Sequence, residues 1–165
     1  MGYCHYWGRP KTIPADVFGT IGGEVRSVIA AVAPALGLFG GIKVRGALGS
    51  GRPIIDAEHI CFNGSPRKET FWISSDVASK SPDQEPGEHG LYWDFVKTGQ
   101  LPYDTVVVAA LVSLKVRLPE ARLSSDGGAE EWAAGLELYR RATGRAVTFE
   151  SLTNLPPPSP PSAVV

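Results

Sequence analysis

A chain of 165 residues, 43% hydrophobic and 20% charged, has material for one domain whose core needs neither disulfide nor metal. Sixteen Lys and Arg against seventeen Asp and Glu give a net charge of -1, which argues against a strongly electrostatic polyanion binder, and the apolar content excludes wholesale disorder. Two cysteines, Cys4 and Cys61, are too few for a disulfide scaffold and read as half-buried thiols.

The opening Met1-Gly2-Tyr3-Cys4-His5-Tyr6-Trp7 lacks the basic region and apolar run of a secretory signal, and Tyr6 stands where a myristoylation signal needs Ser or Thr. The longest apolar stretch, Val25 to Phe39, is broken by Pro34 and Gly37. The expectation is a cytoplasmic protein with no membrane partner.

Residues 3–9 are rich in aromatics and predict a strand with Tyr3, His5 and Trp7 on one face and Cys4 and Tyr6 on the other. Over 16–33, Val17, Ile21, Val25, Val28, Ile29 and Val32 recur near the helical period, predicting an amphipathic helix that Pro34 or Gly37 ends. The glycine-rich segment 40–53 reads as a loop with a short strand at Ile42–Val44. Residues 54–62 and 69–74 predict a hairpin with Asn63-Gly64 marking its turn. Residues 75–90 read as a polar surface loop, and 91–97 as a short helix or an extended edge.

Val106, Val107, Ala110, Leu111 and Leu114 predict a helix over 103–117, where length decides against the strand that Val106-Val107-Val108 would equally suit. A short strand at 121–125 and a turn at Asp126-Gly127-Gly128 lead into a last helix over 129–142. Its stripe is Trp132, Leu136 and Tyr139; Glu137 and Arg141 pair four apart, and Thr143-Gly144 is the stop. The domain is expected to span 1–148, with 149–165 as a flexible tail carrying Pro156, Pro157, Pro158, Pro160 and Pro161. The element order predicts an α+β fold in two layers. A four-stranded antiparallel sheet carries helices mainly on one face, as in a split β-α-β unit with an added C-terminal helix.

Several blocks carry a resemblance. They are Gly2-Tyr3-Cys4-His5-Tyr6-Trp7-Gly8-Arg9-Pro10, Ile60-Cys61-Phe62-Asn63-Gly64, Glu69-Thr70-Phe71, Trp93-Asp94-Phe95-Val96-Lys97-Thr98, Pro102-Tyr103-Asp104 and Ser124-Ser125-Asp126-Gly127. Together they resemble a family of small hypothetical proteins of bacteria and bacteriophages that commonly open with a Met-Gly-Tyr-Thr-His-Tyr-Trp stretch. Cys4 departs from that opening. The resemblance implies a shared domain over residues 1 to about 145, and no reaction or cofactor.

No His-Glu-x-x-His or Cys-x-x-Cys spacing occurs around His5, His59, His89 or the two cysteines, so neither metal nor cofactor is assigned. Gly46 to Arg52 lacks the Lys-Ser/Thr of a phosphate loop and runs into Pro53, so it reads as a connector. His5, set among aromatics, is the candidate general base. Asp126 or Glu69 would position it, with Glu69 as the opposing acid. Lys97, Asp104, Ser124 and Ser125 flank strand ends and helix starts, where free amides receive anions, and are the candidate ligand-binding groups. The expectation is that His5, Glu69, Lys97, Asp104, Ser125 and Asp126 converge at one end of the sheet.

The same residues have a structural reading, with His5 packed, Asp126 capping the last helix and Ser125 bonding its own turn. The leading functional expectation is a small-ligand-binding domain with an anion-tolerant polar pocket, whether or not it is an enzyme. The alternatives are a phage-related protein-interaction or structural module, and a nucleic-acid-associated factor using Tyr3, Trp7, Phe62, Phe71 and Trp72 as stacking rings.

Overall fold

The computed structural model describes residues 2–33 and 41–154, with the backbone alone for 153 and 154. The elements run β1 (Cys4–Arg9), α1 (Ala15–Val32), β2 (Val44–Arg45), β3 (Ile54–Ile55), β4 (His59–Gly64), β5 (Phe71–Ser74), β6 (Tyr92–Lys97), α2 (Asp104–Arg117), β7 (Arg122–Ser125), α3 (Ala129–Thr143) and α4 (Phe149–Asn154). The fold is α+β, with two antiparallel sheets and helices packed mainly against one sheet face.

The expected single four-stranded sheet is divided in two. β1 is the centre of a three-stranded sheet between β6 and β7. The second sheet is built on β4, whose Ile60 and Cys61 face β3 on one edge and β5 on the other; β2 pairs the end of β4 at Asn63 and Gly64. Local hairpin partners therefore fill β4, and β6 goes to β1 instead. β6 and β7 each run antiparallel to β1, so they are parallel to one another with β1 between them and α2 connecting them, which is the expected split β-α-β arrangement.

The buried Arg9 guanidinium joins the sheets by donating to the carbonyls of Lys11, Ser74 and Ser75. Burial lowers its pKa to about 10, against the opposing pull of Asp76 and Asp94. Trp7 meets Phe71 at 5.3 Å and Phe71 meets Phe62 at 5.0 Å, so both sheets feed one core.

Two local readings change for identifiable reasons. The stretch 54–62 is broken where Asp56 Oδ1 accepts from the amides of Glu58 (2.9 Å) and His59 (2.7 Å), making a tight reversal between β3 and β4. Asn63-Gly64 lies inside β4, not at the turn. Asn63 is buried, and its side chain accepts from the amides of Gly64 and Lys68 while donating to the carbonyls of Ala47 and Lys68. It fastens the 65–68 turn from within the strand. Residues 92–97, ambiguous in sequence, form the edge strand β6.

Helix α2 is buried on all sides from Val106 to Lys115, as a helix through the middle of a core must be. Glu24 of α1 ties the three long helices together. Its carboxylate accepts from Arg117 Nη2 (2.8 Å) and Nε (3.1 Å) and Ser113 Oγ (2.8 Å) on α2, and from Tyr139 OH (2.9 Å) on α3. Gly144, at φ +77°, ends α3 where the sequence places the stop.

Gly135 sits at the α2–α3 crossing, where an added Cβ would come within 2.3 Å of Val108 Cγ1 and 2.5 Å of its Cβ. Alanine has the better helix propensity by about 1 kcal/mol, yet Gly135→Ala is expected to destabilise by about 2 kcal/mol, because a rigid β-branched neighbour has to move. Denaturant unfolding gives the sign; a stabilised variant would mean that the crossing has room for a methyl group.

The first residues of the expected tail are helical. Residues 149–154 form α4, with Leu152 buried and Phe149 against Trp132 at 5.8 Å; the proline-rich stretch lies outside the described residues. Among the described residues no helix is long and apolar enough to cross a membrane.

Candidate functional site

The register of β1 decides which polar groups meet. His5 lies opposite Val96 of β6 and Ser125 of β7, so its ring points with Trp7 into the helical side of the sheet. There it is fully buried, edge-on to Tyr3 (5.1 Å) and Trp132 (5.5 Å). Its Nδ1 lies 2.8 Å from Ser125 Oγ, and its Nε2 lies 2.7 Å from Oδ1 of Asp104, the first residue of α2. Thr98 Oγ1, also buried, donates to the same Asp104 oxygen at 2.5 Å.

The surrounding donors set the tautomer. Ser125 Oγ accepts from the Gly127 amide (3.0 Å) and from Trp132 Nε1 (3.1 Å). With both lone pairs occupied, the hydroxyl has only its proton to offer His5 Nδ1. Nδ1 is then an acceptor, and Nε2 carries the hydrogen that goes to Asp104. The relay runs Ser125 to His5 to Asp104, with Thr98 bracing the carboxylate.

The partners of His5 are thus Asp104 and Ser125, where Asp126 or Glu69 was expected. Asp126 turns back on β1, its Oδ2 accepting from the Cys4 amide at 2.8 Å. It does not cap α3; the Gly128 amide at that helix start donates to Glu131 Oε2 at 2.8 Å. Glu69 is exposed and accepts from the Lys97 amide, while its carbonyl receives the Tyr103 hydroxyl. Lys97 lies opposite Cys4, on the face away from His5. Ser124 is exposed opposite Tyr6. The six groups therefore divide between the two faces and the edge of the sheet.

Ser125 lines a cavity of about 230 Å³ between β7, the start of α3 and α4, with Leu123, Ser124, Gly127, Trp132, Phe149 and Leu152 as the other walls. The Tyr3 hydroxyl lies against Gly127, buried and without a hydrogen-bond partner among the described residues. A wider hollow of about 370 Å³ has Lys115 and Arg145 on its wall. Lys115 Nζ is already committed to the carbonyls of Pro119 (2.7 Å) and Ala121 (2.5 Å).

Neither a family model, nor a curated protein, nor a solved structure is similar to the chain. Its chemistry is therefore read from its own residues.

No group of three or more His, Cys, Asp or Glu side chains among the described residues is placed to hold a metal ion. His59 instead receives Trp72 Nε1 at 3.2 Å, and His89 is exposed. Sequence reasoning missed Thr98, Phe149 and Leu152. Thr98 lies six residues before Asp104 with no motif to link them, and the other two fell in the segment read as tail.

Proposed function

We propose that this protein is a binding module for a small, mainly apolar molecule carrying one neutral acceptor oxygen, held in the cavity between β7, α3 and α4. The observation that carries the reading is the polarity of that cavity. Leu123, Phe149 and Leu152 make an apolar body, and the Gly127 amide and Trp132 Nε1–H converge on one point at its polar end, now filled by Ser125 Oγ. A ligand carbonyl or hydroxyl would share those two donors. The volume exceeds the roughly 150 Å³ that accommodates a benzene ring. The expected anion tolerance gives way to a neutral group, because Asp126, Glu130 and Glu131 already place negative charge around the start of α3.

Binding is favoured over catalysis by the state of Ser125. Its oxygen is held by the Gly127 amide and Trp132 Nε1–H, the same donors a developing oxyanion would need, and the nearby Gly128 amide is spent on Glu131. The His5–Asp104 relay then serves to hold Ser125, and through it Trp132, in place.

The test uses p-cresol and toluene as probes, followed by ligand-observed NMR on the full chain. Both should bind, p-cresol more tightly. Ser125→Ala should change the p-cresol to toluene ratio by about tenfold, the worth of one hydrogen bond, and Leu123→Phe should block both by filling the cavity. Absence of binding by both probes at millimolar concentration, or binding untouched by Leu123→Phe, overturns the reading.

A further inference from the structure

The outer face of the three-stranded sheet is built differently from its inner one. The antiparallel register sets three rows across it, Lys97–Cys4–Asp126, Phe95–Tyr6–Ser124 and Trp93–Gly8–Arg122. Phe95 is 52% exposed and Tyr6 37%, and the two rings touch, with centroids 6.1 Å apart. The other strongly exposed large hydrophobics among the described residues, Leu48 and Ile54, lie outside this sheet. Trp93 lies across Gly8 at the adjoining row. Lys97 and Arg122 occupy diagonal corners of the face, and neither forms an ion pair with a described residue. Of the rings expected to stack on a ligand, Trp7, Phe62 and Phe71 are buried in the core.

We propose that this outer face binds single-stranded nucleic acid, with bases stacking on Tyr6 and Phe95 and phosphates meeting Lys97 and Arg122. Two rings and two free cations answer the two repeating chemistries of a single strand, an unpaired π face and a phosphate. Strand spacing and rise put the corner cations about 16 Å apart, a span of two to three nucleotides. Asp126 spends Oδ2 on the Cys4 amide, and its other oxygen can accept from a base amino group; Glu69, at the β6 edge, spends Oε2 on the Lys97 amide.

A second copy of the chain fits less well. Three strands of this length offer on the order of 300 Å², well under the roughly 800 Å² per partner of a stable protein interface. The net charge of -1 makes the attraction local to this face, so binding should be modest and salt-sensitive. The proposal is independent of the cavity, which shares only Ser124, on the edge strand β7, with the residues of this face.

Fluorescence anisotropy of a labelled single-stranded octanucleotide, RNA and DNA in parallel, tests it on the full chain. Two phosphate contacts predict a slope of about −1.4 for log affinity against log salt. Lys97→Gln and Arg122→Gln should each flatten that slope by about 0.7. Phe95→Ala and Tyr6→Ala should each weaken binding roughly 5- to 100-fold. Phe95→Leu, which keeps an apolar side chain and removes the ring, should weaken it too, with the thermal midpoint confirming an intact fold. No binding of either oligonucleotide at low salt overturns the proposal. So does a salt-independent affinity, an affinity that Phe95→Leu leaves unchanged, or self-association that disappears in Phe95→Ala while no oligonucleotide binds.

Discussion

Replacing Trp132 with alanine is expected to cost about 3–5 kcal/mol of folding stability, the range for emptying a buried aromatic site. The indole is 2% exposed, meets Phe149 of α4 on one side and the edge of His5 on another, and donates from Nε1 to Ser125. Its removal enlarges a cavity already beside it and leaves Ser125 short of a donor, so little of the loss is recovered by collapse. Guanidinium unfolding with an unchanged m value measures the effect; a change under about 0.5 kcal/mol would take Trp132 out of the core. Trp132→Phe separates the two contributions. It retains most of the packing and loses the N–H, for about 1 kcal/mol.

Glu24→Ala is expected to destabilise by about 3 kcal/mol, at the low end for a broken buried pair because Arg117 is part-exposed. The variant leaves Arg117, Ser113 and Tyr139 facing a site with no acceptor, and these groups belong to α2 and α3, so the loss is felt at both interfaces. The same site gives the stability an acid limb. Burial works against the ionised form of Glu24. The hydrogen bonds from Arg117, Ser113 and Tyr139 outweigh it and hold the carboxyl below its ordinary 4.5.

With the folded value depressed, the unfolded chain binds the proton first as the pH drops. The contribution of Glu24 is therefore complete above the unfolded value and is lost as pH falls through the folded one. Thermal midpoints recorded from neutrality down to pH about 3 should fall for the parent and flatten in Glu24→Gln. Equal slopes would show that the carboxylate is not ionised in the fold. Tyr139, pushed up to about 12 by burial and then by Glu24, stays protonated throughout.

The helices were legible in the sequence because their signals are local. The apolar period of α1, the length of the segment that became α2, and Thr143-Gly144 after α3 each sit within a few turns of what they specify. The sheets were not, since partner choice is decided between segments far apart. Nothing near His5 says that β1 lies between β6 and β7, or that Asp104, 99 residues on, reaches its ring. His5, Asp104 and Ser125 stood out individually as polar residues in structured surroundings, but the partnership among them depended on that hidden order. Lys97 shows how narrow the margin is. One residue along β6, opposite Cys4 instead of His5, puts it on the other face.

The place of β1 also bears on how the chain acquires its structure during synthesis. The strand that begins at residue 4 pairs with β6, complete only at residue 97, and with β7, complete only at residue 125. Most of the described chain must leave the ribosome before the first strand finds either neighbour. Until then an aromatic ribbon from Tyr3 to Trp7 emerges with its backbone unpaired, the kind of segment that sticks to other chains. Closing so long a loop is entropically costly, and such non-local pairing slows folding. The arrangement that hides His5 and Trp7 so thoroughly in the finished protein makes the same residues the last to be protected in the growing one.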